Sequence, residues 1–481
     1  MSHNSPRAAA LAAALLLGTG LAACTVGPDY HGPSVTLGAF PGTDAVAARK
    51  TAVAAPPLDR WWVGFNDPEL TRIVDRALDQ NLDLAASLAR VRQSRAAAQE
   101  AGADLLPSFD LDAQGSAQHQ SLQSPIGKIA SALPGYHRDQ RLYDVGASAS
   151  WEIDLFGGLR RAENAARAEV QVAEADRLGT RVSVAADAAD AYFQIRGYQN
   201  RLAVTRNQIG VNSHLLQLVQ LQLRNGLASE REVAQSEALV KQAEASVPSL
   251  QIALDAQLNR LDVLMGVQPG TYAGELAIVT AIPALPAIGS ADRPVDVLRR
   301  RPDIAAAERR LAASNERIGA AISDYYPKIS LSGALGFDSL SSNHLFTPRA
   351  FEPVGTGALR WRLFDFGKID AEVAQARGAN AEALALYRQT ALKAAEDVDN
   401  AFTSLTQTET HTVELQDEVS ALTRASDMSQ QSYQSGAIPL TDVLDADRQL
   451  LVAKDDLAAT RADAARAVVR TFRAIGGGWT T

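Results

Sequence analysis

The chain has 481 residues, enough for two or three ordinary domains, and 46% of them are hydrophobic, which excludes a disordered protein. Its formal net charge of −9 lacks the basic footprint a nucleic-acid binder needs, and its single cysteine excludes a disulfide framework. Aromatic residues are only 6% and alanine is abundant, a composition suited to long helices packed along thin seams.

Taken from the N-terminus, residues 1–23 read as a signal peptide, with a basic start ending at Arg7 and an apolar run from Ala8 to Leu17. Leu21-Ala22-Ala23-Cys24 follows and resembles the lipobox of bacterial lipoproteins. That resemblance implies cleavage before Cys24, a covalent lipid on its thiol and no other cofactor. Thr25 is not the aspartate associated with inner-membrane retention, so outer-membrane sorting is implied. Residues 24–60 are then an extended, lipidated N-terminal segment. No later segment has the roughly 18 consecutive apolar residues of a spanning helix, so any membrane crossing must be made by a β-barrel.

Beyond residue 60 the chain repeats itself. Asn81-Leu82-Asp83-Leu84-Ala85-Ala86 matches Arg301-Pro302-Asp303-Ile304-Ala305-Ala306, and Pro107 matches Pro327, both 220 residues apart. From Trp151 the spacing is 210: Trp151 with Trp361, Phe156 with Phe366, Gly226 with Gly436, Gly266 with Gly476. Repeat 1 covers residues 61–270 and repeat 2 covers 296–478, with a proline-rich linker over 271–295.

Each repeat is predicted to run helix, strand, strand, long helix, helix. Leu70 to Ala103 has one continuous helical periodicity, and at Pro107 the period changes to two. Phe109, Leu111, Ala113, Gly115 and Ala117 alternate with polar residues, as do Tyr143, Val145, Ala147, Ala149, Trp151 and Ile153. Repeat 2 alternates at Ile329, Leu331, Gly333, Leu335 and Phe337, then at Leu359, Trp361 and Leu363. Strands of about ten residues with this dyad pattern suit a tilted transmembrane barrel, although a soluble sheet with one wet face alternates in the same way. Four strands cannot close a barrel, so the chain must share one with its own copies. Two copies give eight strands and a filled interior; three give twelve and leave a passage, the number a conduit requires. Gly157 to Gly226 and Gly367 to Gly436 lack proline, predicting two helices of about 100 Å. Val233, Val240, Val247, Leu254 and Leu261 step by seven, as in a coiled coil, and Pro248 should kink that helix.

These residues carry a family resemblance. The chain resembles the TolC-like outer-membrane factors, and within them the NodT-type lipoproteins of RND efflux systems. The matching stretches are Cys24-Thr25-Val26-Gly27-Pro28-Asp29-Tyr30, Trp61-Trp62, Trp151-Glu152-Ile153-Asp154-Leu155-Phe156-Gly157 and Arg300-Arg301-Pro302-Asp303-Ile304. The resemblance implies a membrane α+β fold: two tandem repeats of long antiparallel coiled-coil helices with two strands each. It implies a homotrimer forming a 12-stranded outer-membrane β-barrel on a periplasmic α-helical tube. The implied partners are a periplasmic adaptor (membrane fusion) protein, an inner-membrane RND transporter and outer-membrane lipid. The implied role is a passive exit duct for drugs or other toxic compounds. A type I secretion duct and a non-channel structural lipoprotein of the envelope are the alternatives.

The family closes its periplasmic end with carboxylate rings, which the resemblance places at Asp442 and Asp445, three residues apart on one helix face. Acids in a first helical turn also answer the helix dipole. Tyr433 matches a latch tyrosine, Glu232 stands where a latch aspartate is expected, and Ile438 stands in place of a latch arginine. Tyr433 would equally serve as a seam aromatic. The turns Asn225-Gly226-Leu227 and Ser435-Gly436-Ala437 are the expected adaptor-contacting tips, where glycine also serves a left-handed turn. The sequence holds no nucleophile elbow, no phosphate-binding loop and no metal-spaced histidine pair, so no enzyme or metal site is expected.

Overall fold

The computed structural model describes residues 25–33, 38–49, 53–289 and 299–479. The expected signal peptide over residues 1–23, the lipidation residue Cys24 and part of the linker lie outside them. In chain order the main elements are α1 (Pro68–Gln80), α2 (Leu82–Ala103), β1 (Ser108–His119), β2 (Asp139–Ile153), α3 (Gly158–Arg224) and α4 (Glu230–Leu264). There follow α5 (Pro302–Ser323), β3 (Lys328–Ser339), β4 (Phe351–Arg360), α6 (Lys368–Gln434) and α7 (Leu440–Ala474). The order from α2 to α4 recurs from α5 to α7. The long helices α3 and α6 have 67 residues each, and α4 and α7 have 35 each. The described residues divide into two compact units, one drawn from 25–33, 92–172 and 308–386, the other from 38–49, 53–91, 173–289, 299–307 and 387–479.

The first unit holds a four-stranded antiparallel sheet in the order β1-β2-β3-β4. Its apolar positions Phe109, Leu111, Leu335 and Leu359 are exposed, so no other part of the described chain covers that face. The two tryptophans that end the sheet do the same job in each repeat. Trp151 donates its indole N–H to the Leu105 carbonyl at 3.0 Å, and Trp361 donates to that of Tyr325 at 2.9 Å. Strand β4 stops at Arg360, its last partner being Lys328 just after Pro327, so Trp361 and Leu363 fall outside the strand predicted for them.

The first unit also seats residues 25–30. Val26 donates its N–H to the Phe156 carbonyl at 3.1 Å. The buried Arg161 side chain donates to Val26 O, Gly27 O and the Asp29 carboxylate, while pairing with Glu316 at 3.1 Å. A side chain on Gly27 would run into the Gly319 backbone, and one on Gly319 would run into the Arg161 side chain. The Val-Gly-Pro-Asp-Tyr stretch after Cys24 is thus a strap held between the start of α3 and α5.

The second unit carries the main core. Trp61 and Trp62 are fully buried, and Trp61 stacks on Phe472 with centroids 5.3 Å apart. Ala185, Ala188, Ala189, Ala465 and Ala467 are buried beside them, so the alanine-rich composition becomes a close seam between α3 and α7. The single helix expected from Leu70 to Ala103 is instead two. Asn81 has extended backbone, and its side-chain oxygen accepts from the N–H groups of Asp83 and Leu84, capping α2. Its amide nitrogen donates to the Leu264 carbonyl, which ties the break to the end of α4. Helix α4 continues through Pro248.

Candidate functional site

The candidate site is the pair of helix tips in the second unit. Each tip closes with the same hydrogen bonds. Gly226 N–H reaches Leu223 O and Leu227 N–H reaches Gln222 O; Gly436 N–H reaches Tyr433 O and Ala437 N–H reaches Ser432 O. The glycines have φ of +71° and +78°, a left-handed conformation that glycine adopts without strain. Asn225, Gly226, Leu227, Ser435, Gly436 and Ala437 are all exposed, so neither turn is covered by the described residues. Leu227 is an apolar side chain at 78% exposure in the first of them.

Behind the turns the two hairpins share a small apolar cluster. Val219, Leu440 and Val443 are buried, and Leu215, Ala228, Val233, Tyr433, Ile438 and Leu444 pack against them. Ile438 is thereby absorbed into packing. A half-buried isoleucine contributes about 1 kcal/mol by packing, of the order of an exposed ion pair.

Tyr433 joins the hairpins directly. Its hydroxyl donates to Gln222 Oε1 at 2.6 Å, a bond between α6 and α3. Burial, and then the nearby Glu232 carboxylate, push the Tyr433 hydroxyl above its ordinary range, so it remains a donor at neutral pH. Glu232 itself is occupied locally. It accepts from the Ser229 N–H at 2.7 Å and the Ser229 hydroxyl at 2.8 Å, a capping box that starts α4. Those bonds hold its carboxyl below the usual range.

Asp442 and Asp445 are both exposed near the start of α7. Asp445 is not bare: Arg448 donates to it at 2.7 Å and Gln449 at 2.7 Å. Asp447 was not singled out from the sequence and is the buried carboxylate of this region, at 2% exposure. Its Oδ1 accepts from Ser426 Oγ at 2.6 Å, with Gln430 at 3.4 Å, and its Oδ2 is buried without a partner. Burial drives its carboxyl above the ordinary range against those two hydrogen bonds and the charge of Lys454, with Asp427 adding to the rise. The three-four spacing of Leu440, Val443, Asp447 and Leu450 is the one sequence signal that would have marked it as a seam position. Among the described residues no group of three or more acids, histidines or cysteines is placed to hold a metal.

With this geometry established, comparisons decide the family. The sequence profile described as "Outer membrane efflux protein" matches residues 73–267 and 294–477, once per repeat. The chain is a member of the outer membrane efflux protein family. It is 30% identical over 449 residues to the pyoverdine export outer membrane protein OpmQ of Pseudomonas putida, covering 92% of this chain and 93% of that one. It is 30% identical over 478 residues to nodulation protein T of Rhizobium leguminosarum bv. viciae, covering 97% and 93%. Its structure superposes on the outer-membrane channel OprN with a TM-score of 0.85 at 32% identity, over 95% of this chain and 100% of that one. The chain is therefore a TolC-like outer-membrane factor, a channel protein and not an enzyme.

Proposed function

We propose that this chain is the outer-membrane exit duct of a tripartite RND-type efflux pump, conducting drugs or other toxic compounds passively from the periplasm to the outside. The observation that carries the reading is the sheet. Its apolar face is bare and its outer strands β1 and β4 each have one neighbour, an arrangement that is stable in lipid only if copies complete the barrel. Three copies make twelve strands, wide enough for a passage.

In that trimer Cys24 carries the lipid, and the strap at residues 25–30 sets where the anchor leaves the protein. The exposed turns around Gly226 and Gly436 are the surfaces for a periplasmic adaptor, which in turn holds the inner-membrane transporter. Asp442 and Asp445 form rings of like charge around the axis, and Tyr433 with Gln222 ties the second hairpin to the first. Such rings favour cations and resist being squeezed together, which makes the tip a gate.

The test is single-channel conductance in a planar bilayer, wild type beside Asp442→Asn/Asp445→Asn. A small, cation-favouring conductance that grows or loses selectivity in the variant is the expected result. Equal conductance in both moves the gate elsewhere. No conductance from protein shown to be inserted overturns the duct.

A further inference from the structure

The sheet contains enough information to assign the register of its own missing seam. The repeat is obeyed residue by residue within the sheet. Pairing of β1 with β2 runs from Ser108↔Ser150 onward, and pairing of β3 with β4 runs from Lys328↔Arg360 onward. The second set is the first with β1 advanced by 220 and β2 advanced by 210: Phe109↔Ala149 becomes Ile329↔Leu359, and Gln114↔Asp144 becomes Ala334↔Val354. The remaining pairing, β2 with β3, joins repeat 1 to repeat 2 and has no counterpart inside one chain. Its counterpart is β4 of one copy against β1 of the next.

In the trimeric reading above β4 meets β1 of the neighbouring copy, and resting on that reading we infer the register of this seam, with Trp361 opposite Leu111. Carrying Trp151↔Leu331 forward by 210 on one strand and back by 220 on the other gives that pair. The same operation places Leu363 opposite Phe109, Arg362 opposite Asp110, Arg360 opposite Asp112 and Thr356 opposite Ser116.

The chemistry of these pairs supports the register, although the operation that produced them used no chemistry. Residues directly opposite share a face, so Trp361 and Leu363 fall on the same face as Leu111 and Phe109, all four exposed in one protomer. On the other face two arginines meet two aspartates; of these, Arg362 also pairs with Asp324 and Glu372 of its own chain. Asp110, Asp112 and Arg360 make no side-chain ion pair or hydrogen bond within the described residues of one chain, and all three are exposed. A slip of one residue would set the two arginines opposite Phe109 and Leu111, or opposite Leu111 and Ala113, all positions of the apolar face. A slip of two would keep at most one opposite-charge pair.

The register also accounts for the early end of β4. Trp151, Glu152 and Ile153 of β2 are paired only with β3, because β1 stops at Ser108↔Ser150. Their counterparts Trp361, Arg362 and Leu363 lie beyond β4, where β3 offers nothing. They are the residues that β1 of the next copy would hold, and β4 would lengthen to Leu363 on assembly. The same operation turns the Phe156–Tyr326 stack, 4.6 Å between centroids, into Phe366 beside Leu106. Both are exposed in one protomer, Phe366 completely.

Cysteine pairing tests the register. A Cβ on Gly146 or Gly336, counterparts of Thr356 and Ser116, would lie 3.1 Å from the other's Cα, which marks a close pair within reach of a disulfide. Full-length Thr356→Cys/Ser116→Cys, oxidised in the outer membrane, should run as a covalent trimer on non-reducing gels. Either single variant should not, and Thr356→Cys/Gln114→Cys, shifted by two, should cross-link at least several-fold less. Arg360→Asp should weaken the trimer to heat in detergent, and Arg360→Asp/Asp112→Arg should restore it. A native mass of three copies with cross-linking through the shifted pair refutes the register and leaves the duct standing. A native mass of one copy overturns both.

Discussion

Replacing Tyr433 with phenylalanine isolates one bond at the tip. The ring stays in its apolar cluster, so no cavity forms, and only the donation to Gln222 is lost. Gln222 is half-buried and can turn to water, so the loss is the ordinary net value of a hydrogen bond, about 1 kcal/mol. If three protomers open together, the total is about 3 kcal/mol, which at 1.4 kcal/mol per decade is roughly a hundredfold shift toward the open state. The assay is open probability in a planar bilayer for wild type, Tyr433→Phe, Gln222→Ala and the double variant. The double variant should resemble either single one, because both remove the same bond. Unchanged open probability in Tyr433→Phe, or fully additive effects of the two changes, would refute the assignment of this bond to closure.

Asp447 makes the tip sensitive to pH in a defined direction. Its folded pKa is raised, so the fold favours the protonated form. That stabilisation is complete below the unfolded value, about 4, and is lost as pH rises through the folded value. Hydrogen-exchange protection of residues 426–450, corrected for intrinsic rates, should fall between pH 4 and neutrality in the wild type and stay flatter in Asp447→Asn; equal slopes would refute it. The strap is tested by Arg161→Ala. Removing this buried cation leaves Glu316 without its partner and should cost about 3 kcal/mol locally. Limited proteolysis should then cut near residues 25–33 much faster than in wild type, with unchanged sheet content by circular dichroism; an unchanged cleavage rate would remove Arg161 from that role.

Much of the architecture was legible in the chain itself. The two repeats, the change of period at Pro107 and Pro327, the two long helices and the two glycine turns are local or periodic features, and a period survives any tertiary arrangement. The exposed positions of Asp442 and Asp445 follow from the same helical spacing. Where local reading failed, a distant partner was the cause. Asn81 breaks the expected helix by reaching Leu264, 183 residues away. Strand β4 ends opposite Lys328, where β3 begins, a limit set by pairing and not by its own alternation.

The site divides in the same way. Sequence named Tyr433, but its partner Gln222 lies 211 residues away and carries no pattern of its own. Sequence placed Glu232 in a latch, while the helix start at Ser229 engages its carboxylate first. Asp447 reads as one acid among several, and only the packing of α7 against α6 takes it out of water. The sequence by itself determined which segments are helix, which are strand and how often the pattern recurs, because those depend on neighbours a few residues apart. The tertiary structure decided which polar groups are buried and what they meet, because hydrogen bonds and desolvation depend on residues that the chain brings together only when it folds.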